Sequence, residues 1–128
     1  MNEVVAEWVK KAEADARTAE REARATDGPN WDAVCFHAQQ AVEKYLKAVL
    51  QQQKVPFPRT HDLLVLLQLL EGQQSESPLR DDAEWLTAYA VEFRYPGESA
   101  SADASTRAIG AMRALRQHLR QQLCLDSE

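Results

Sequence analysis

Glycine is scarce in this chain, with four in 128 residues, and strand-favouring β-branched residues are few. Those shortages argue against a β-rich fold, while the abundant Ala, Leu, Glu, Gln and Arg are strong helix formers. Only two cysteines occur, Cys35 and Cys124. They lack metal-ligand spacing and sit in helical patterns, so they read as buried or half-buried free thiols rather than a disulfide framework or a zinc site. No apolar run approaches the roughly 20 residues of a membrane span, and no charged-then-apolar leader opens the chain. A cytoplasmic protein without membrane contact is expected. An excess of positive charge is also missing. Fifteen Lys and Arg stand against 20 Asp and Glu, a net charge of −5. That balance argues against a general nucleic-acid binder and leaves room only for a local basic cleft. There is no glycine-rich phosphate loop, nucleophile elbow or paired-cysteine motif, so neither cofactor nor metal is expected.

The residues present describe one domain over 1–128, with an ordinary 45% hydrophobic and 27% charged content. A first helix is expected from Asn2 to Ala25, with Val5, Trp8, Ala12, Ala16, Ala19 and Ala23 recurring at three- and four-residue steps. Gly28 suits the residue after a helix, and Asn30 can cap the next one, Trp31 to about Gln53. So short a link makes the two helices antiparallel neighbours. Val55-Pro56-Phe57-Pro58 must be extended. Thr60 can cap a third helix, His61 to Glu71, apolar nearly all round and therefore expected between other helices. Ser77-Pro78 opens a fourth helix carrying Trp85, Leu86, Tyr89 and Phe93, which stops before Pro96-Gly97. A fifth runs from about Ala102 to Leu123, with Ala108, Met112, Leu115, Leu119 and Leu123 on one stripe. The sum is an all-α, up-and-down bundle of four long helices plus a shorter one.

The second helix holds the densest chemistry. At 100° per residue, Val34, Ala38, Ala41, Val42, Tyr45, Leu46 and Val49 fill one arc. His37, Gln40, Glu43, Lys44, Lys47 and Gln51 share the other. This stripe reads either as a solvated face or as a set of groups addressing one anionic ligand. His37, Glu43 and His61 lack the i, i+4 His spacing of a helical metal site. Arg94, between Phe93 and Tyr95-Pro96-Gly97, is a fork suited to phosphate or a basic end to its helix. Next to Asp62 stands His61, either a polar residue of a first helical turn or an acid–base group, since imidazole titrates near neutral pH. His118, among Arg113, Arg116 and Arg120, is expected to be solvated.

Three blocks, FHAQQAVEKYLKAVL over 36–50, Thr60-His61-Asp62-Leu63 and Phe93-Arg94-Tyr95-Pro96, occur in the order seen in the HEPN family, which the chain resembles from about Val5 to Leu123. The resemblance implies a helical bundle that is often homodimeric and often paired with a minimal nucleotidyltransferase, sometimes as a toxin–antitoxin system. Toxin members are metal-independent ribonucleases carrying Arg, four to six residues, then His, and Arg94 corresponds in position to that arginine. No histidine follows Arg94 in the required window. Arg113 to His118 fits the spacing literally, but the five-residue step turns the two side chains roughly 140° apart on a helix. The expected function is therefore nucleotide or RNA binding through His37, Gln40, Lys44, Lys47, His61, Arg94 and Tyr95. The alternatives are a docking module without ligand chemistry, and a ribonuclease using Arg94 with His61 or His37.

Overall fold

Four of the five helices begin on a side chain that accepts from the first turn, which is the local chemistry that sets their start points. Asn2 accepts from Val5 N–H, Asn30 from Ala33, Asp62 from Leu64 and Val65, and Ser101 from Ala104. The computed structural model describes residues 1–72, 78–92 and 96–125. Its helices are α1 (Glu3–Ala23), α2 (Trp31–Gln52), α3 (Leu63–Glu71), α4 (Pro78–Glu92) and α5 (Ala102–Gln122). Among the described residues there is no strand, and the all-α bundle of four longer helices and one short one stands. No helix of these is long and apolar enough to cross a membrane.

Helix α2 is the axis of the bundle and touches every other helix. Val34, Ala38, Ala41, Val42, Tyr45, Leu46 and Val49 are all fully buried on it, as the arc assignment requires. The small residues Ala12, Ala16 and Ala19 let α1 lie close along it. Rising numbers on α2 meet falling numbers on α1: His37 and Lys44 reach Asp15, and Lys47 sits over Trp8. The two helices are therefore antiparallel, with Gly28 at φ +62° in the link between them. Helix α5 also runs antiparallel to α1, since Arg113 meets Glu20 while Arg116 and Arg120 meet Glu13. Leu115, Leu119 and Met112 carry the buried stripe of α5.

Four expectations need correction. Helix α3 starts at Leu63 rather than His61, because Asp62 takes the cap. Thr60 Oγ1 accepts only from Asp62 N–H, 3.1 Å away, which leaves His61 in the extended approach to the helix. Nor is α3 enclosed all round. It packs on α2 and α4 and meets α5 only through Glu71 at its end, burying Leu63, Leu66 and Leu67 while Val65 and Leu69 remain exposed. His118 is not solvated but half-buried, with Nε2 2.7 Å from Glu71 Oε2. Cys35 is buried, but Cys124 is exposed just beyond α5, where the backbone turns to φ +59°.

Candidate functional site

The stripe on α2 is not a solvated face. Gln39, Glu43 and Lys47 occupy one row at i, i+4 and i+8, and all three are buried. Their polarity is satisfied internally, as burial demands. Lys47 Nζ donates to Glu43 Oε2 at 3.0 Å, and Gln39 Nε2 donates to Glu43 Oε1 at 3.2 Å. The same Gln39 nitrogen donates to the His61 carbonyl at 2.7 Å, while Gln40 Nε2 donates to Gln39 Oε1 at 2.8 Å. These contacts tie α2 to the segment that leads into α3. A second tie anchors that segment to α4, where Leu63 N–H donates to Thr87 Oγ1 at 2.9 Å.

His61 closes the network. Its Nδ1 lies 2.9 Å from Glu43 Oε1, yet its side chain is 73% exposed while that of Glu43 is 5% exposed. Burial alone pushes the Glu43 carboxyl up. Hydrogen bonds from Lys47, His61 and Gln39, together with the Lys47 charge, outweigh burial and hold it below the usual glutamate range. An ionised carboxylate can only accept, so Nδ1 is the nitrogen that carries the proton. The other nitrogen, Nε2, is left to face outward. The result is an imidazole at the surface, oriented from behind by a buried anion, the arrangement in which a histidine can accept a ligand's hydrogen bond or move a proton.

Lys44 and His37 belong to a neighbouring group. Both contact Asp15 of α1, with His37 Nδ1 2.8 Å from Oδ1 and Lys44 Nζ 2.5 Å from Oδ2. The two ammonium groups of the stripe thus arrive already paired with carboxylates. Lys47 also sits 5.7 Å above the Trp8 ring. Of the residues singled out from sequence, the fold brings together Gln40, Lys47 and His61. His37 and Lys44 lie on the α1 side of the same helix. Arg94 and Tyr95, like Phe93 and the Ser77 cap, lie outside the described residues. Arg113 and His118 do not converge, since one is held by Glu20 of α1 and the other by Glu71 at the end of α3.

Sequence reasoning placed Glu43 in the stripe but gave it no role, and it missed Gln39 and Asp15. The i, i+4, i+8 row of Gln39, Glu43 and Lys47 was available as a signal, because such a row makes side-chain contacts along a helix. Nothing in the sequence pairs Glu43 with His61, 18 residues away. Among the described residues, no three His, Cys, Asp or Glu side chains form a group able to hold a metal ion.

A family model described as HEPN domain matches residues 5–122. Among solved structures, the crystal structure of ST0689, an archaeal HEPN homologue, superposes with a TM-score of 0.73 at 22% identity, covering 93% of this chain and 97% of that one. No curated protein matches the sequence.

Proposed function

The chain belongs to the HEPN domain family, and from that premise we propose that it binds a nucleotide or an RNA-derived ligand where α2 meets the segment leading into α3. The observation that carries this reading is the exposed His61 imidazole held by buried Glu43. In this reading His61 Nε2 contacts the ligand, Arg94 supplies the fork for phosphate and Tyr95 a ring for base stacking. Gln40 and Lys47 act as positioning residues through Gln39 and Glu43, and His37 and Lys44 do the same through Asp15. The protein works as a homodimer beside a minimal nucleotidyltransferase, as a toxin–antitoxin-like pair in the cytoplasm, with 1–128 acting as one domain. Support for the dimer comes from exposed apolar side chains that a second copy would cover, namely Val65 and Leu69 on α3 and Phe36 on α2.

Calorimetric titration of the wild type, Arg94→Ala and His61→Ala with a nucleotide panel and a short RNA tests the reading. Saturable binding that both substitutions weaken at least tenfold is the expected result. A wild type that binds nothing in the panel overturns it and favours the docking-module alternative.

The Glu43–His61 pair also favours a second reading, a metal-independent ribonuclease. Nε2 would take the 2′-hydroxyl proton as O2′ bonds to phosphorus. The P–O5′ bond would break, and the proton would pass to the departing O5′. Arg94 would stabilise the charge on the phosphoryl oxygens. RNA cleavage in chelator that His61→Ala abolishes supports this reading, and cleavage that survives both His61→Ala and Arg94→Ala belongs to a contaminant.

A further inference from the structure

A second cationic feature lies away from the His61 site. Between α1 and α5 there is a hollow of about 290 Å³ whose walls carry five arginines: Arg17, Arg21 and Arg24 of α1, with Arg113 and Arg116 of α5. Two carboxylates face them, Glu13 and Glu20, leaving an excess of three positive charges in a chain whose net charge is −5. Both carboxylates are committed to α5. Glu20 clamps Arg113 through paired bonds of 2.7 and 2.6 Å, and Glu13 holds Arg116 at 2.8 Å. Arg24 reaches Glu20 only at 3.8 Å, with 68% of its side chain exposed. Arg17 and Arg21 make no ion pair with any described residue.

Arg21 in the last turn of α1 suits the negative helix end and Arg24 pairs with Glu20 at i, i+4, but neither explains Arg17 beside Arg21. Arg17 and Arg21 are like charges at i and i+4, which repel along a helix. They become useful when an anion lies between them. From Arg17 to Arg24 the rim extends about 10 Å along the helix axis at the usual rise, long enough for several phosphates in a row. Ala16 and Met112 line the apolar part of the floor, and among the described residues no aromatic ring lines the hollow. It therefore offers charge and guanidinium forks but no surface for base stacking.

We propose that the α1–α5 hollow binds a chain of phosphate groups through Arg17, Arg21 and Arg24, while Arg113 and Arg116, fixed by Glu20 and Glu13, form its far wall. The phosphates come from the backbone of a single-stranded nucleic acid or from a free polyphosphate. This site is separate from the one around His61. At 100° per residue, Trp8 and Asp15 face α2 from one flank of α1, and the arginines occupy the opposite flank with Glu13 and Glu20.

The test uses the full chain and a 5′-labelled oligouridylate in fluorescence anisotropy, with tripolyphosphate as competitor and as a direct calorimetric probe. Substituting Arg17, Arg21 and Arg24 together by Gln should weaken binding at least tenfold. The slope of log affinity against log salt should fall from about −2, at roughly −0.7 per phosphate neutralised on a single strand, toward zero. The three side chains are exposed, so the thermal midpoint of this variant should match the wild type. Oligouridylate that tripolyphosphate cannot displace identifies a nucleic-acid backbone as the source, and tripolyphosphate binding without oligouridylate binding identifies a free polyphosphate. The proposal is overturned if neither probe binds the wild type, or if the triple substitution leaves affinity and salt slope unchanged. It is also overturned if a polyglutamate peptide of equal charge competes as well as tripolyphosphate. Oligouridylate binding lost in His61→Ala but kept in the triple variant would overturn it too, and would assign that binding to the His61 site alone.

Discussion

Glu43 gathers four side chains and Glu13 three, but the two networks end differently. Glu13 accepts from the Tyr45 hydroxyl, Arg116 and Arg120, joining α1, α2 and α5. Burial and then the hydrogen bond to Glu13 push Tyr45 up to about 12, and Arg116 Nε donates back to the Tyr45 oxygen at 3.0 Å. All the groups of that hub hold one another in place between three helices. Glu43 is more deeply buried, yet one of its partners, His61, stands mostly in solvent. A closed network is a structural tie. One that runs from a buried anion to an exposed imidazole also transmits orientation to something outside, and this difference separates a candidate site from a bundle of ion pairs.

Removing each carboxylate tests the contrast. Glu43→Ala should have the largest effect, about 3 kcal/mol or more in urea unfolding, because it strands a buried ammonium. The Lys47 side chain is only 10% exposed. The same variant should release His61 and reduce ligand binding. Glu13→Ala should cost less, about 2 kcal/mol by the same measurement, since hydrogen bonds to charged groups are lost at a half-buried position. Arg116, with 23% of its side chain exposed, can turn to water, and binding at His61 should stay intact. If Glu13→Ala costs more than Glu43→Ala, or abolishes the same binding, the distinction between tie and site fails.

How much of this was legible in the sequence follows the range of the forces involved. Asn30 as a cap and the buried arc of α2 depend on residues within one or two turns, and the structure contains both. Gly28 does not follow the cap of α1 as expected: the helix ends at Ala23 with Arg24 as its cap, and Gly28 turns the link further on. The end of α3 that matters most was misread by two residues, because Thr60 and Asp62 compete for one cap and the choice moves His61 off the helix. The apolar character of α3 suggested full enclosure, but which faces are covered depends on tertiary packing, and α2 and α4 leave Val65 and Leu69 exposed. Likewise the polar stripe was visible as a stripe. Its burial was not, because the groups that satisfy it come from α1 and from the chain before α3.

The smallest of the three effects, and the one that reads both hubs at once, is acid sensitivity. Burial raises the Glu13 and Glu43 carboxyls, but hydrogen bonds from Tyr45 and Arg116 in the first case, and from Lys47, His61 and Gln39 in the second, bring both below the usual glutamate range. A carboxyl held low in the folded state takes up its proton later on acidification than the same group in the unfolded chain. Below the ordinary glutamate range the unfolded state therefore binds more protons, and stability falls as pH drops through the folded values. Above that range this contribution is complete and independent of pH. Urea unfolding of the wild type between pH 6 and pH 3 should show the decline. Glu43→Gln, which retains the shape of the side chain but cannot titrate, should be less stable at pH 6 and should lose less on acidification, as should Glu13→Gln. If Glu43→Gln instead declines in parallel with the wild type, Glu43 is not the buried anion that orients His61, and the comparison between the two hubs loses its basis.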